Sequence, residues 1–381
     1  MSPPRSIRRH ATAAFSLIEL LVAMTVTAIL LVLMSQVLTS SQMAWKNTRS
    51  SVGSYREART AFETISRRLS QATLNSYWGY NDPSNPAFYQ RQSELHYLSG
   101  PASVLLPQQA LSPGHALFFQ APLGLAEDAE VQRLEDTVNT LGYWVAFGSD
   151  LDFRPAWMRE DTVRNPEQRR FRLMEFRPPT ERVDLYRMVA DPAAPGKTKP
   201  WIEVQTAQAD LYQWFTNPLR QYSQPIADHI LAFFVEPLQP DPAAPTGGAA
   251  PTIQAALAPD YLYDTRRHQW APGARADVSR HQLPPQLQLT LVALDESTWL
   301  ALTPEQAEKH AQTLTQTMRE KLFQGLQGAP SEQTLRTRTK ADLEDLQDEL
   351  AKLGLRSRTF SVKIYVRGAK WITQQQTAPP P

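Results

Sequence analysis

Glu19 is the only formal charge between Phe15 and Leu38, within the run Phe-Ser-Leu-Ile-Glu-Leu-Leu-Val-Ala-Met that opens a long apolar segment. A carboxylate in hydrocarbon costs about 2.5 kcal/mol or more on insertion scales, so a chain that keeps one there needs a cation to meet it. Glu19 is therefore the candidate functional residue, and its chemistry is ion pairing rather than bond making. Other constellations are weaker. Gly196-Lys197-Thr198 matches the end of a phosphate-binding loop, but Asp191 stands where the first glycine is needed, and a plain loop is the better reading. Asp264 and His268 are four apart with His281 following, which would bind metal only if the fold gathered them; histidines this loosely spaced are more often structural. No His-Glu-x-x-His or Gly-x-Ser-x-Gly occurs, so no catalytic residue, metal ligand or cofactor is assigned and the chain is not read as an enzyme. Seven arginines from Arg164 to Arg187 interleave with Phe171, Phe176 and Tyr186, a mixture able to hold phosphates and stack bases. Glu167, Glu175, Glu181 and Asp184 in the same segment cancel much of that field, so a solvated strand face is favoured over a nucleic-acid partner.

The element that must position Glu19 is the apolar segment itself. About 24 residues at about 1.5 Å each reach roughly 36 Å, enough for a hydrocarbon core of about 30 Å. Arg5, Arg8 and Arg9 precede it, so the N-terminus is expected to stay cytoplasmic, with the rest of the chain exported from a single-pass inner-membrane anchor. At 381 residues the chain can hold one or two domains, and its net charge of +1 argues against general nucleic-acid affinity. There is no cysteine, which excludes disulfides and thiolate chemistry. Proline, at about 8% against a usual 5%, points to many loops and edge strands.

Taken together, these N-terminal residues resemble the type IV pilins and type II secretion pseudopilins. In that family a short basic leader, here Arg5, Arg8, Arg9 and His10, ends at a cleavage junction, here Ala14/Phe15, and the fifth residue of the mature chain is Glu, here Glu19. Ala14 departs from the glycine usual before the cut. The resemblance implies a prepilin peptidase that cuts after Ala14 and N-methylation of Phe15. It also implies that Glu19 pairs with the Phe15 amine of a neighbouring subunit during assembly. An ordinary secretory signal differs, because its small-residue cleavage site follows the apolar region rather than preceding it. The implied partners are prepilin peptidase, other pilins or pseudopilins, inner-membrane lipid and a secretion or pilus assembly machinery. The layout of a long helix, a β head, Leu-Pro-Pro-Gln-Leu-Gln-Leu-Thr-Leu near residue 283 and a late Phe-Ser-Val-Lys-Ile-Tyr-Val-Arg strand is similar to the larger minor pseudopilins of the J or W type and, more narrowly, to the Verru_Chthon cassette protein C group. Alternatives are a pilus subunit for adhesion or DNA uptake, and a membrane-tethered periplasmic enzyme or receptor.

The fold class read from the chain is α+β: a long N-terminal transmembrane and amphipathic helix packed on a mainly antiparallel β head, with a helical hairpin insertion. The expected divisions are a leader at 1–14, a membrane helix at 15–38, its amphipathic continuation at 39–75, a β-rich periplasmic head at 76–300, a helical insertion at 301–354, a final strand at 355–373 and a disordered tail at 374–381. Val52, Tyr55, Phe62, Ile65, Leu69 and Ala72 mark the helical stripe, and Gly53 is a place where it could bend. Expected strands are Glu94 to Leu98, Ala116 to Ala121, Leu141 to Phe147, Phe171 to Arg177, Arg182 to Val189, Ile226 to Glu236, Leu287 to Ala293 and Val362 to Val366. Thr303-Pro304-Glu305-Gln306 predicts a capped helix start, and Leu343, Leu346, Leu350 and Leu353 predict a second helix ending at Gly354. Asp191 to Pro200 and Gln239 to Pro259 read as surface loops, and Thr377 to Pro381 as a loose end.

Overall fold

A computed structural model describes residues 17–81, 85–130, 137–160, 164–240 and 255–371. The architecture is α+β: an apolar N-terminal helix followed by a mostly antiparallel β head with helices. The chain divides into two compact units, Met1–Val52 and Gly53–Pro381. The N-terminal helix, Leu17–Ser70, runs unbroken through Gly53. A lone glycine lowers helix propensity by about 1 kcal/mol, which neighbouring turns outweigh.

In the second unit, Ala58, Ala61, Phe62, Ile65 and Leu69 on the last turns of this helix are buried, as is Ala72 just beyond it. Polar contacts fix the same turns. Arg68 donates to the Tyr143 hydroxyl at 2.9 Å and to Glu175, and Tyr143 donates to Glu175 at 2.8 Å.

The strands of the head are β1 (Tyr77–Tyr80), β2 (Tyr89–Gln92), β3 (Leu98–Pro101), β4 (His115–Pro122), β5 (Val138–Ser149), β6 (Arg169–Phe176), β7 (Met188–Ala190), β8 (Thr198–Pro200), β9 (Ser223–Asp228), β10 (Ile230–Leu238), β11 (Tyr263–Asp264), β12 (Gln286–Leu294) and β13 (Ser357–Tyr365). They form a six-stranded sheet in the order β11-β3-β4-β5-β6-β9, a three-stranded sheet β10-β12-β13, and the ribbons β1-β2 and β7-β8. Pairing is antiparallel throughout these sheets.

Alternation along the central strands divides the side chains between two cores. Leu117, Phe119, Tyr143, Val145, Phe171 and Leu173 face the larger core, shared with the N-terminal helix and the three-stranded sheet. Phe118, Trp144, Met174 and Phe176 face a smaller one, capped by Trp201, Ile202, Trp214 and Phe215. With both faces covered, β4 reads as a continuous apolar run rather than an alternating one.

The insertion separates two strands that are direct partners, with Leu294 opposite Ser357. Its first long helix, Pro304–Glu320, carries the expected capping box, Thr303 accepting from Gln306 and Gln306 returning the bond. The second, Glu332–Lys352, ends where Gly354 takes φ +71°, with Leu355 N–H bonded to Leu350 and Gly354 N–H to Ala351. This is a Schellman closure, which an L residue with a Cβ disfavours.

Four expectations are corrected. Glu94 to Tyr97 is not strand, because the N–H groups of Leu95, His96 and Tyr97 bond to the side chains of Ser93, Gln120 and Thr265 instead of a neighbouring strand. Arg182 to Val189 folds mostly as two 3₁₀ turns, which turn Val183 and Leu185 into the smaller core. Ile226 to Glu236 is two strands in different sheets, broken at His229, whose φ of 57° turns the chain. Asp191 to Pro200 is the turn and second strand of the ribbon β7-β8, not a free loop. At the end of the proline-rich stretch Leu257 and Ala258 are buried and Ala255 bridges to Ser331, while 241–254 and the tail at 377–381 lie outside the described residues.

Candidate functional site: a carboxylate in an apolar helix

The described part of the N-terminal helix is apolar and long enough to cross a membrane from Leu17 to Gln42, 26 residues. That corresponds to about 39 Å. Fifteen large hydrophobic side chains between Leu17 and Leu38 are exposed. Burying each is worth about 1.5 kcal/mol or more, about 20 kcal/mol together, which exceeds the net stability of most domains. Water is therefore not the medium this helix is built for.

Its hydroxyls fit the same conclusion. Thr25 donates to Val22 C=O and Thr27 to Ala23 C=O, each at 2.8 Å, and Thr39 and Ser40 bond back to Ser35 and Val37. These four hydroxyls are satisfied inside the helix, as a hydrocarbon environment favours.

Glu19 lies in the first described turn, exposed, with Ile18 and Leu20 beside it. An acid in a first turn is favoured by the partial positive charge of the helix N-terminus. Ala14 and Phe15, and the basic residues Arg5, Arg8 and Arg9, lie outside the described residues.

The head brings other polar residues together, in a way that closes them off. Asp264 is fully buried and accepts from His96 Nε2 at 2.7 Å, Arg266 N–H at 2.7 Å, Tyr212 Oη at 3.0 Å and Trp270 Nε1 at 3.0 Å. Trp214 Nε1 donates to His96 Nδ1 at 3.1 Å. A nitrogen that accepts from an indole carries no proton, so His96 is the neutral tautomer protonated at Nε2. Burial pushes the His96 imidazole below its ordinary range. Burial alone would raise the Asp264 carboxyl, but His96 and the other donors outweigh it and hold the group low. Both ring nitrogens are thus occupied, and the dyad offers no open site for a proton transfer.

The remaining pair suggested by spacing, His268 and His281, does meet, with ring centroids 4.8 Å apart. Burial, with Arg266 and Arg280 nearby, pushes His268 down to about 3 and His281 well below its ordinary value. Asp264 does not join them as a ligand, since its carboxylate is spent on the His96 network. Among the described residues no three His, Cys, Asp or Glu side chains are gathered to hold a metal ion.

Six arginines of the arginine-rich stretch lie against carboxylates, some of them shared. Arg170 and Arg172 meet Asp228 at 2.7 and 3.2 Å, Arg169 meets Glu167 and Glu308, Arg177 meets Glu175, Arg182 meets Glu127 and Arg187 meets Asp184. The buried network of His96, Tyr212, Trp214 and Asp264 was not legible in the sequence. Its members are as far as 168 residues apart, and no local spacing links them.

Comparison with known families gives one match: residues 9–35 fit the prokaryotic N-terminal methylation motif. The match covers the junction, Phe15, Glu19 and most of the apolar run. Together with the exposed apolar helix it supports a type IV pilin-like precursor, processed by prepilin peptidase and anchored in a membrane by that helix. No curated protein and no solved structure matches the chain.

Proposed function

We propose that the chain is a non-catalytic minor pilin or pseudopilin, cut between Ala14 and Phe15, methylated on Phe15 and assembled through its N-terminal helix into a pseudopilus or pilus-like filament. Its anchor sits in the inner membrane with the head in the periplasm, and the larger J- or W-type minor subunits of type II secretion are its nearest counterparts in layout. The observation that carries the reading is a single carboxylate, Glu19, inside a lipid-suited helix that bears the methylation motif. Pairing Glu19 with the Phe15 amine of a neighbour would offset the cost of placing either charge among apolar helices.

Mass spectrometry of the mature N-terminus from native membranes tests the processing step. A chain beginning at methylated Phe15 is expected; one that retains residues 1–14, or that is cut beyond Leu38, overturns the proposal. Glu19→Ala tests the assembly step: it should leave cleavage largely intact and impair incorporation into filaments, and normal incorporation refutes the role of Glu19.

A further inference from the structure

On the outer side of the six-stranded sheet, where the cover over the smaller core ends, a cleft of about 670 Å³ opens over β5 and β6. Its volume falls in the range of ligand sites, about 300–1,000 Å³. Trp144, Phe153, Met174 and Leu219 supply apolar walls, Arg172 and Arg220 supply cations, and Asp152, 3.7 Å from Arg220, supplies one carboxylate.

Two donors in this lining have no acceptor. Arg172, 4% exposed, gives Nε to Asp228 and Nη1 to the carbonyls of Gly148 and Ser149, which leaves Nη2 without a partner. Trp144, 2% exposed, has no acceptor for Nε1. Met174 pairs with Trp144 and Arg172 with Ala146, so the two donors sit on diagonal positions of one sheet face, about 7–8 Å apart at the backbone. An unmet buried donor is costly, and both of these belong to residues that line one cleft.

Phe153 lies over the Arg172 guanidinium at 5.6 Å and is 45% exposed on the short turn Leu151–Phe153, so an exposed ring stands between Arg172 and solvent at the cleft. Ala146 and Gly148 keep the floor shallow, and a Cβ added at Gly148 would meet nothing within 4 Å.

The geometry points to a binding site for a carboxylate carried on an apolar or aromatic body, its oxygens accepting from Arg172 Nη2 and Trp144 Nε1 and its body lying between Phe153, Met174 and Leu219. Only an acceptor group answers two donors: Arg172 has Asp228 for its charge, and what it lacks is an acceptor at Nη2, which a carboxylate oxygen supplies. The cleft is open beside Arg220, whose side chain is 96% exposed, which suits the end of a peptide chain as well as a free acid. The site is separate from the helix and stands or falls independently of the filament reading.

The test is calorimetric titration of the full chain in lipid nanodiscs, with empty nanodiscs as control. The probes are the tripeptide acetyl-Gly-Gly-Phe as free carboxylate, the same peptide as C-terminal amide, and acetyl-phenylalanine. The carboxylate peptide should bind at least about tenfold more tightly than the amide, the worth of a charge-assisted bond, and should weaken with salt. Trp144→Phe, which keeps a ring and removes the donor, and Gly148→Val, which fills open space, should each weaken binding by about tenfold. Acetyl-phenylalanine binding as tightly as the tripeptide assigns the site to free acids, and weaker binding assigns it to chain ends; both support a carboxylate site. Equal binding of acid and amide, no binding by either, or full binding by a folded Gly148→Val protein overturns it.

Discussion

Glu236 offers the sharpest test of the head's internal electrostatics. It lies on β10, 5% exposed, and its carboxyl contacts the Thr339 hydroxyl at 2.6 Å, which in turn meets Tyr261 Oη at 2.8 Å. Burial raises its pKa from an ordinary 4.5 to about 7, with Thr339 and Arg336 opposing and Glu332 reinforcing. The difference, 7 − 4.5, corresponds to about 3 kcal/mol. Between these values the folded state holds a proton that the unfolded state has released, so stability falls as pH rises through the window, and the loss is complete above about pH 7.

The raw stability curve hides this slope. His115 and His229, each pushed down to about 4 by burial, and His268, pushed down to about 3, must stay neutral in the fold, so each adds stability as pH rises toward the ordinary histidine range. The comparison that isolates Glu236 is therefore between the parent and Glu236→Gln, measured by denaturant unfolding of the full chain in detergent. The glutamine variant should gain on the parent by about 3 kcal/mol between about pH 5 and about pH 8, because it carries no ionisation cost. A difference that stays flat with pH refutes the reasoning: the carboxyl would then be reached by water or by a cation in a way this packing does not contain.

Three further outcomes follow from the packing. Asp264→Asn should destabilise the head by about 3 kcal/mol, since an amide turns an NH₂ toward groups that are themselves donors; an unchanged unfolding midpoint would mean that the four donors have other acceptors. Asp342→Ala removes the acceptor of the Phe323 N–H, held at 2.9 Å where Phe323 has φ 55°, and should cost about 1–3 kcal/mol with faster amide exchange at Phe323. Leu350→Ala, at a fully packed position of the second insertion helix, should cost about 2–5 kcal/mol by equilibrium unfolding.

Local signals were legible where local physics decides the outcome. Thr303 and Gln306 fix a helix start by bonding to each other's backbone, and Gly354 fixes an end by a backbone angle, so both positions could be read from a few letters. Glu19 stood out for the same reason, as one charge among neighbours that carry none. The strand at Glu94 to Leu98 was misplaced because its N–H groups are taken by Gln120 and Thr265, residues distant in sequence. Ile226 to Glu236 looked like one strand because its apolar content is continuous, and only the left-handed turn at His229 assigns its halves to different sheets. The donors of the cleft, Trp144 and Arg172, become neighbours only through the register of β5 and β6, which alternation within either strand does not determine.

The excursion between β12 and β13 has a consequence for the order in which the head comes together. Leu294 and Ser357 face each other in the finished sheet, yet about 60 residues separate them, and closing a flexible loop of that length costs about 4 kcal/mol of chain entropy. Helix formation in the insertion shortens the effective loop, so β13 is expected to dock after those helices have formed. Because β13 is also the last strand in chain order among the described residues and occupies one edge of the three-stranded sheet, a nascent chain must leave β12 with an unfilled edge until the insertion and residues 357–365 have been made. That exposed edge is the point in biogenesis where pairing with a wrong strand is easiest, and where a holding chaperone would have most effect.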